Sequence, residues 1–348
     1  MSILGLLGYR SSRDKNEGLS TDQKELLLCL VGQLIDRDME RTWTPIVGNF
    51  EASIANMISM GLLEDAPLED KLDKKYRVSD LKELLEGRDI KAKGKKSELI
   101  SAAIENTDQQ SISDMVADVR LYVASESGKK FIETYKTDKE KEYSSMERDA
   151  LGYLSKGDAR RAAQRISQYR ALQNYPGSQW LNRPYNVPET YIKAASSLIK
   201  YSYDDLPLNE SHRKDIGMQL ALSIMLGETV KESASRLLSE SYDVFSWGPL
   251  VDHLKETSYC KCSGLENIKK EEVVELYTEK QILQAFAEND LECLSATHIG
   301  KGIRILPARG NSCISCYSGK NEYQWSEIDK IPKMPRHLGC HCKYVAWI

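Results

Sequence analysis

Apolar residues recur at helical spacing along most of the chain. In TDQKELLLCLVGQLIDRDMER, Leu26, Leu27, Leu30, Leu34 and Ile35 share one side, and Thr21 can cap the start. This spacing predicts a helix from about Asp22 to Arg41. Pro45 and Gly48 in WTPIVGNF interrupt the pattern. A second helix follows, with Ile54, Met57 and Ile58 spaced for a buried face, and ends near Gly61. Residues 19–66 thus read as a helical unit, either a plain hairpin or a small winged-helix-like bundle. Residues 1–18 read as a loose arm. The stretch DAPLEDKLDKK, residues 65–75, is a charged connector.

Residues 76–106, YRVSDLKELLEGRDIKAKGKKSELISAAIEN, predict two short helices. Ser79 caps the first, Val78, Leu81, Leu84 and Leu85 share its inner face, and Gly87 ends it. The second starts near Lys95 and turns Leu99, Ile100, Ala103 and Ile104 inward. Two such short helices bury little surface, so this module needs a neighbour to lean on. Residues 112–255 are mostly helical in period. Within them, SSMERDALGYLSKGDARRAAQRISQYRAL folds as two helices at Lys156-Gly157-Asp158, with Asp158 as N-cap. NYPGSQWLNRPYNVP carries three prolines and reads as a long loop, after which helical spacing resumes from Glu189 to about Glu240. Residues 259–348 differ: EEVVELYTEKQILQAFAEN is helical, and short strand-like runs follow between turn signals. The expected fold is mainly α: a helical multi-domain protein with a helix-loop-helix module and a small Cys-rich, zinc-type C-terminal unit.

Composition limits the options. Hydrophobic residues are 41% and charged residues 29%, which is globular rather than disordered. The formal net charge is −4, so affinity for a polyanion must come from a local patch. No stretch approaches the roughly 20 apolar residues of a membrane span. MSILGLLGYRSSRDK lacks the basic region that precedes a secretory core. The expectation is a cytoplasmic protein with no membrane partner.

The local patch is RDIKAKGKK, where Arg88, Lys91, Lys93, Lys95 and Lys96 fall within nine residues against one acid, Asp89. Gly94 admits a close backbone approach. The N–H groups opening the second helix attract an anion. A phosphate-binding corner, a solvated surface and a protein contact all fit such a patch. A nucleotide loop does not: six residues separate Gly87 from Gly94, and Lys96 stands where Ser or Thr is needed. Few aromatics are interleaved, which favours duplex backbone over stacked single strands. These residues resemble the SAP domain in the apolar positions, Gly94 and the closing Lys-Lys-Ser-Glu-Leu-Ile. The resemblance implies binding to DNA, often AT-rich duplex, or sometimes RNA, through Lys93, Gly94, Lys95 and Lys96. Some SAP-like folds serve as protein-interaction modules instead.

Seven of the eight cysteines lie between 260 and 342. Paired cysteines without an export signal point to metal or redox chemistry before disulfides. Cys313 and Cys316 form a CxxC, and Cys340 and Cys342 a CxC, with His337 and His341 interleaved. Two close pairs satisfy the four N or S ligands of zinc. The expected set is Cys313, Cys316, Cys340 and Cys342, with His337 as first substitute. Cys260 and Cys262 can complete the same site, form a second one with Cys293, or remain free thiols. This tail resembles the end of Mu-type phage minor head proteins, where CxxC, a small residue and Gly precede Pro-x-His-x-x-Cys-x-Cys. Here these are Cys313, Cys316, Ser318-Gly319, Pro335, His337, Cys340 and Cys342. The departures are Leu338-Gly339 for Pro-Asn and His341 for Arg. The resemblance implies a small metal-type fold and a role in capsid assembly.

No HExxH, GxSxG or Rossmann glycine pattern occurs, and His212, His253 and His298 are single residues. No catalytic residue is assigned. The leading expectation is a non-enzymatic nucleic-acid-binding protein with structural zinc and protein partners reached through the helical middle. The alternatives are a prophage-derived head-assembly protein and a nucleic-acid-acting enzyme tethered by the module.

Overall fold

A computed structural model of the protein describes residues 18–88, 90, 94–173, 186–204, 208–239, 252, 269–307, 316 and 319–348. The described chain is mainly helical and divides into two compact units, one up to Lys141 and one from Glu142. The 1–18 arm lies almost wholly outside the described residues.

The first unit begins with α1 (Thr21–Leu30), α2 (Arg37–Val47) and α3 (Phe50–Ser59). The single helix expected over 22–41 is therefore two. The capping residue of α1 is Ser20 rather than Thr21; its hydroxyl accepts from Gln23 N–H at 3.2 Å. The break falls where the chain pairs with a distant strand: Gly32 N–H donates to Tyr122 O at 2.9 Å and Ile35 N–H to Arg120 O at 3.0 Å. These long-range bonds satisfy backbone groups that a continuous helix would use locally. Leu34 is consequently exposed. Asp36 then caps α2 through Met39 N–H at 2.8 Å. Pro45 lies inside α2 instead of ending it. It stands in the last turn, where a missing N–H removes a single ladder bond. Trp43, Phe50, Ile54 and Met57 pack with Leu26, Leu27 and Leu30 into one core.

Two short strands, β1 (Leu63–Asp65) and β2 (Tyr122–Ala124), pair antiparallel with Leu63 opposite Ala124. Ala66 N–H donates to Leu121 O at 3.0 Å and continues the ladder. Residues 66–121 are therefore inserted between paired strands, and their two ends are held side by side. The insertion holds α4 (Leu68–Lys75), α5 (Val78–Glu86), α6 (Lys96–Glu105) and α7 (Gln109–Met115). The stretch 65–75, expected as a connector, is thus largely helix α4. The long helix α8 (Glu126–Leu154) follows β2.

In the second unit, α9 (Ala159–Leu172) starts as expected: Asp158 accepts from Arg161 N–H at 3.0 Å after Gly157 at φ +79°. α10 (Glu189–Leu198), α11 (Glu210–Leu226) and α12 (Val230–Leu237) pack with α13 (Lys270–Thr297). Three antiparallel strands close the chain in the order β4 (Glu322–Gln324), β3 (Gly302–Leu306), β5 (Lys343–Trp347). Among the described residues no helix is long and apolar enough to cross a membrane.

Candidate nucleic-acid interface and metal centre

The helix pair α5–α6 owes its stability to its flanks. Leu81 and Leu85 of α5 meet Leu99, Ile100 and Ala103 of α6 in a core that also holds Leu72 of α4, Ile112 of α7, and Val116, Val119 and Leu121. Four helices share one apolar centre, so the two short helices are not alone. Val78, expected inside, is exposed, and Ile104 and Leu84 are half-buried. The first helix starts two residues earlier than a Ser79 cap requires: Arg77 is the N-cap, and its N–H donates to Asp80 Oδ2 at 2.9 Å. That bond, and one from the Ser79 hydroxyl, hold the Asp80 carboxyl below the usual carboxylate range.

The basic residues are distributed unevenly. Lys95 is the N-cap of α6 and is exposed beside Gly94. The Lys96 ammonium lies 3.1 Å from Asp73 Oδ1 and also donates to the Asp73 carbonyl at the end of α4. Arg88 Nη1 donates to Thr107 Oγ1 at 2.5 Å, so this guanidinium ties the start of the α5–α6 link to the residue beyond α6. Lys91 and Lys93 lie outside the described residues.

The opening turn of α6 is not a bare row of donors. Glu98 folds back so that its Oε2 accepts Lys95 N–H at 2.9 Å. Gly94 makes room for it, with φ at +132°. A glutamate at N3 bonding the N-cap amide is half of a capping box. The signal was present in Lys-Lys-Ser-Glu but needs the helix start fixed at Lys96 to be read. Asp73 carried no local signal, because its partner is 23 residues away.

Residues 74–107 match the SAP domain family. No curated protein and no solved structure matches the chain. The SAP match spans α5, α6 and the last two residues of α4. The remainder of α4, and α7 with Ile112, complete the module's core from outside the matched segment.

At the other end of the chain, Cys316 Sγ lies 3.1 Å from His337 Nε2 and 3.8 Å from Cys340 Sγ. The three ligand atoms all lie within 4.8 Å of one another. Cys342 is buried in the same apolar cluster. Strand β3 supplies Ile303 and Ile305 as the apolar floor, with Tyr323 and Tyr344 beside them. The three ligand groups could hold a metal ion: the 3.8 Å thiol pair already has the spacing of zinc ligands, and the 3.1 Å thiol–imidazole contact would widen by a few tenths of an ångström. A tetrahedral zinc with bonds of about 2.3 Å to sulfur and about 2.0 Å to nitrogen sets its ligands roughly 3.5–3.8 Å apart. His337 Nδ1 donates to Leu338 O at 2.8 Å, which leaves the Nε2 lone pair facing the thiols. Burial holds the imidazole below its ordinary pKa and so keeps it neutral, as a ligand must be. Burial, with Cys342 and Cys340 adding to it, pushes the Cys316 thiol up, and a bound cation would reverse that.

The structure thus brings Cys316 and Cys340 of the expected set within ligand reach of His337, the substitute, and buries Cys342 in the same apolar cluster. Cys313, Cys260 and Cys262 lie outside the described residues. Cys293 is exposed on α13 and outside this cluster. Of the single histidines, His298 ends α13 and stacks on Trp325 with ring centres 4.8 Å apart. His253 lies outside the described residues.

Proposed function

We propose that this protein binds nucleic acid, with duplex DNA as the favoured ligand, and that the SAP module makes the contact through Lys91, Lys93, Lys95 and Lys96. The observation that carries this reading is the SAP match over residues 74–107 on a module whose helices share one packed core. The physics is mainly electrostatic: lysines neutralise phosphates and release counterions, while Gly94 allows the backbone to come close. Arg88, bonded to Thr107, adds a further cation to the patch. The match lies in a chain of net charge −4, so the contact is local.

The proposed metal is zinc, held by Cys316, His337 and Cys340, with the fourth ligand a thiolate from Cys342 or Cys313. Its role is structural, as a staple for the small three-stranded end. The protein is proposed to be a non-enzymatic binder rather than a catalyst.

The direct test is titration of a fluorescent AT-rich duplex with the full chain at low salt, with a matched RNA hairpin in parallel. Saturable duplex binding supports the reading. Absence of binding to either ligand contradicts it.

A second reading draws on the tail. His337, Cys340 and Cys316, which occupy positions of the phage minor head motif, converge in space. On this reading, which rests on the motif resemblance, the chain is a head-assembly protein whose SAP module touches packaged DNA. Gene neighbours of portal and terminase type would support it.

A further inference from the structure

Two places where the SAP module should receive phosphate are held by the protein's own carboxylates. Asp73 sits on the Lys96 ammonium, at 3.1 Å. Glu98 sits on the Lys95 amide, at 2.9 Å. Each is an anionic oxygen on a donor that a phosphate oxygen would use, at hydrogen-bonding distance. We propose that Asp73 and Glu98 stand in for two nucleic-acid phosphates in the free protein, and that binding is an exchange of carboxylate for phosphate at Lys96 and at the Lys95 amide. This rests on the nucleic-acid reading of the module.

The chemistry favours a reversible exchange over a permanent lock. Both carboxylates are exposed. An exposed ion pair contributes little and is screened by salt. The two contacts also differ from the other polar ties of the module. Lys75 pairs with Asp118 at 2.5 Å and reaches the Met115 carbonyl, joining α4 to the end of α7. Arg88 ties the start of the α5–α6 link to Thr107 beyond α6. Those ties lie away from the α6 start. Asp73 and Glu98 instead meet at that start, one from α4 and one from α6 itself. In the free protein they keep the cationic corner neutral and satisfy its orphan amide. They also set how much affinity the corner can express, because each carboxylate remains nearby after it is displaced.

The test uses the full chain with Asp73→Asn and Glu98→Gln. Glutamine keeps an acceptor for the Lys95 amide, and Asp73 is exposed, so neither change removes core packing. Asp70→Asn on α4 and Glu105→Gln at the far end of α6 are charge-matched controls. Duplex affinity is read against salt for all five proteins. Asp73→Asn should bind about two- to fivefold tighter than its control at low salt. Its plot of log affinity against log salt should keep about the wild-type slope, because the exchange gives both proteins the same phosphate contacts and the variant lacks only the competing carboxylate. Glu98→Gln should also exceed its control. Binding by the variants alone would support the exchange more strongly still. If wild type binds and neither variant exceeds its control, the exchange is wrong and the SAP reading stands. If none of the five binds, both are wrong.

Discussion

Gly94 and Glu98 compete for one volume: a β-carbon at position 94 would stand 1.6 Å from Glu98 Oε2. The glycine also sits at φ +132°, which side chains of L residues rarely adopt. Gly94→Ala must therefore strain the backbone and expel the carboxylate from the Lys95 amide. The expected cost is about 1–3 kcal/mol to the module. Hydrogen exchange at the Leu99 and Ile100 amides checks it. Unchanged protection there would contradict the capping geometry.

The module's core reaches beyond the SAP match. Ile112 of α7 is 1% exposed and packs with Leu81, Leu85 and Leu99. Ile112→Ala should cost about 2–5 kcal/mol and weaken duplex binding, although residue 112 bears no charge and lies outside the basic link. Exchange protection of α5 and α6 gives the stability, and duplex titration gives the binding. A variant with full stability would show that α7 is an ornament to the module rather than a wall of it.

Acid should loosen the same module. The Ser111 hydroxyl and N–H hold the Asp108 carboxyl below the usual range. The Lys75 ammonium does the same for Asp118, and the Arg77 amide for Asp80. A depressed folded pKa means the unfolded chain binds protons more readily. The stabilisation is thus complete above the ordinary aspartate value of about 3.9 and is lost as pH falls from there through the folded values. Exchange-derived stability of α5 and α6 should be level from pH 7 to pH 5 and fall below about pH 4. Asp108→Asn should shrink that fall.

Much of this was legible in the chain, for identifiable reasons. Leu81, Leu85, Leu99, Ile100 and Ala103 were placed inside by spacing alone, because period carries facing information within one helix. Asp158 was legible because a cap is local. The break at Val31–Asp36 was not, since its cause is pairing with Arg120 and Tyr122 some ninety residues on. Helix α4 was hidden by its charge: one fully buried residue, Leu72, anchors LEDKLDKK. Val78 was misplaced because helical period cannot tell which edge of a stripe a neighbour covers. Asp73 was missed because it meets Lys96 only in the folded chain. At the metal centre the residue types were legible, and the convergence of His337 with Cys316 and Cys340 needed the fold.

The metal centre predicts about one equivalent of zinc per chain purified without chelator and with reduced thiols. Less than about half an equivalent would count against the site. Stripping the metal, or Cys340→Ser, should speed exchange at Ile303 and Ile305, which form the floor of the cluster. The SAP core contains none of the cluster residues, so protection at Leu99 and Ile100 should persist.

The central claim is that the basic link of the SAP module neutralises phosphates. Duplex binding against salt concentration, for wild type and a Lys93→Glu, Lys95→Glu double variant, tests it most directly. Lys96 is spared because its bridge to Asp73 joins α6 to α4. The expected result is a steep salt dependence for wild type and, for the variant, lower affinity with a slope shallower by about two units. Equal affinity and equal slope for the two proteins would contradict the account and place any nucleic-acid contact elsewhere on the chain.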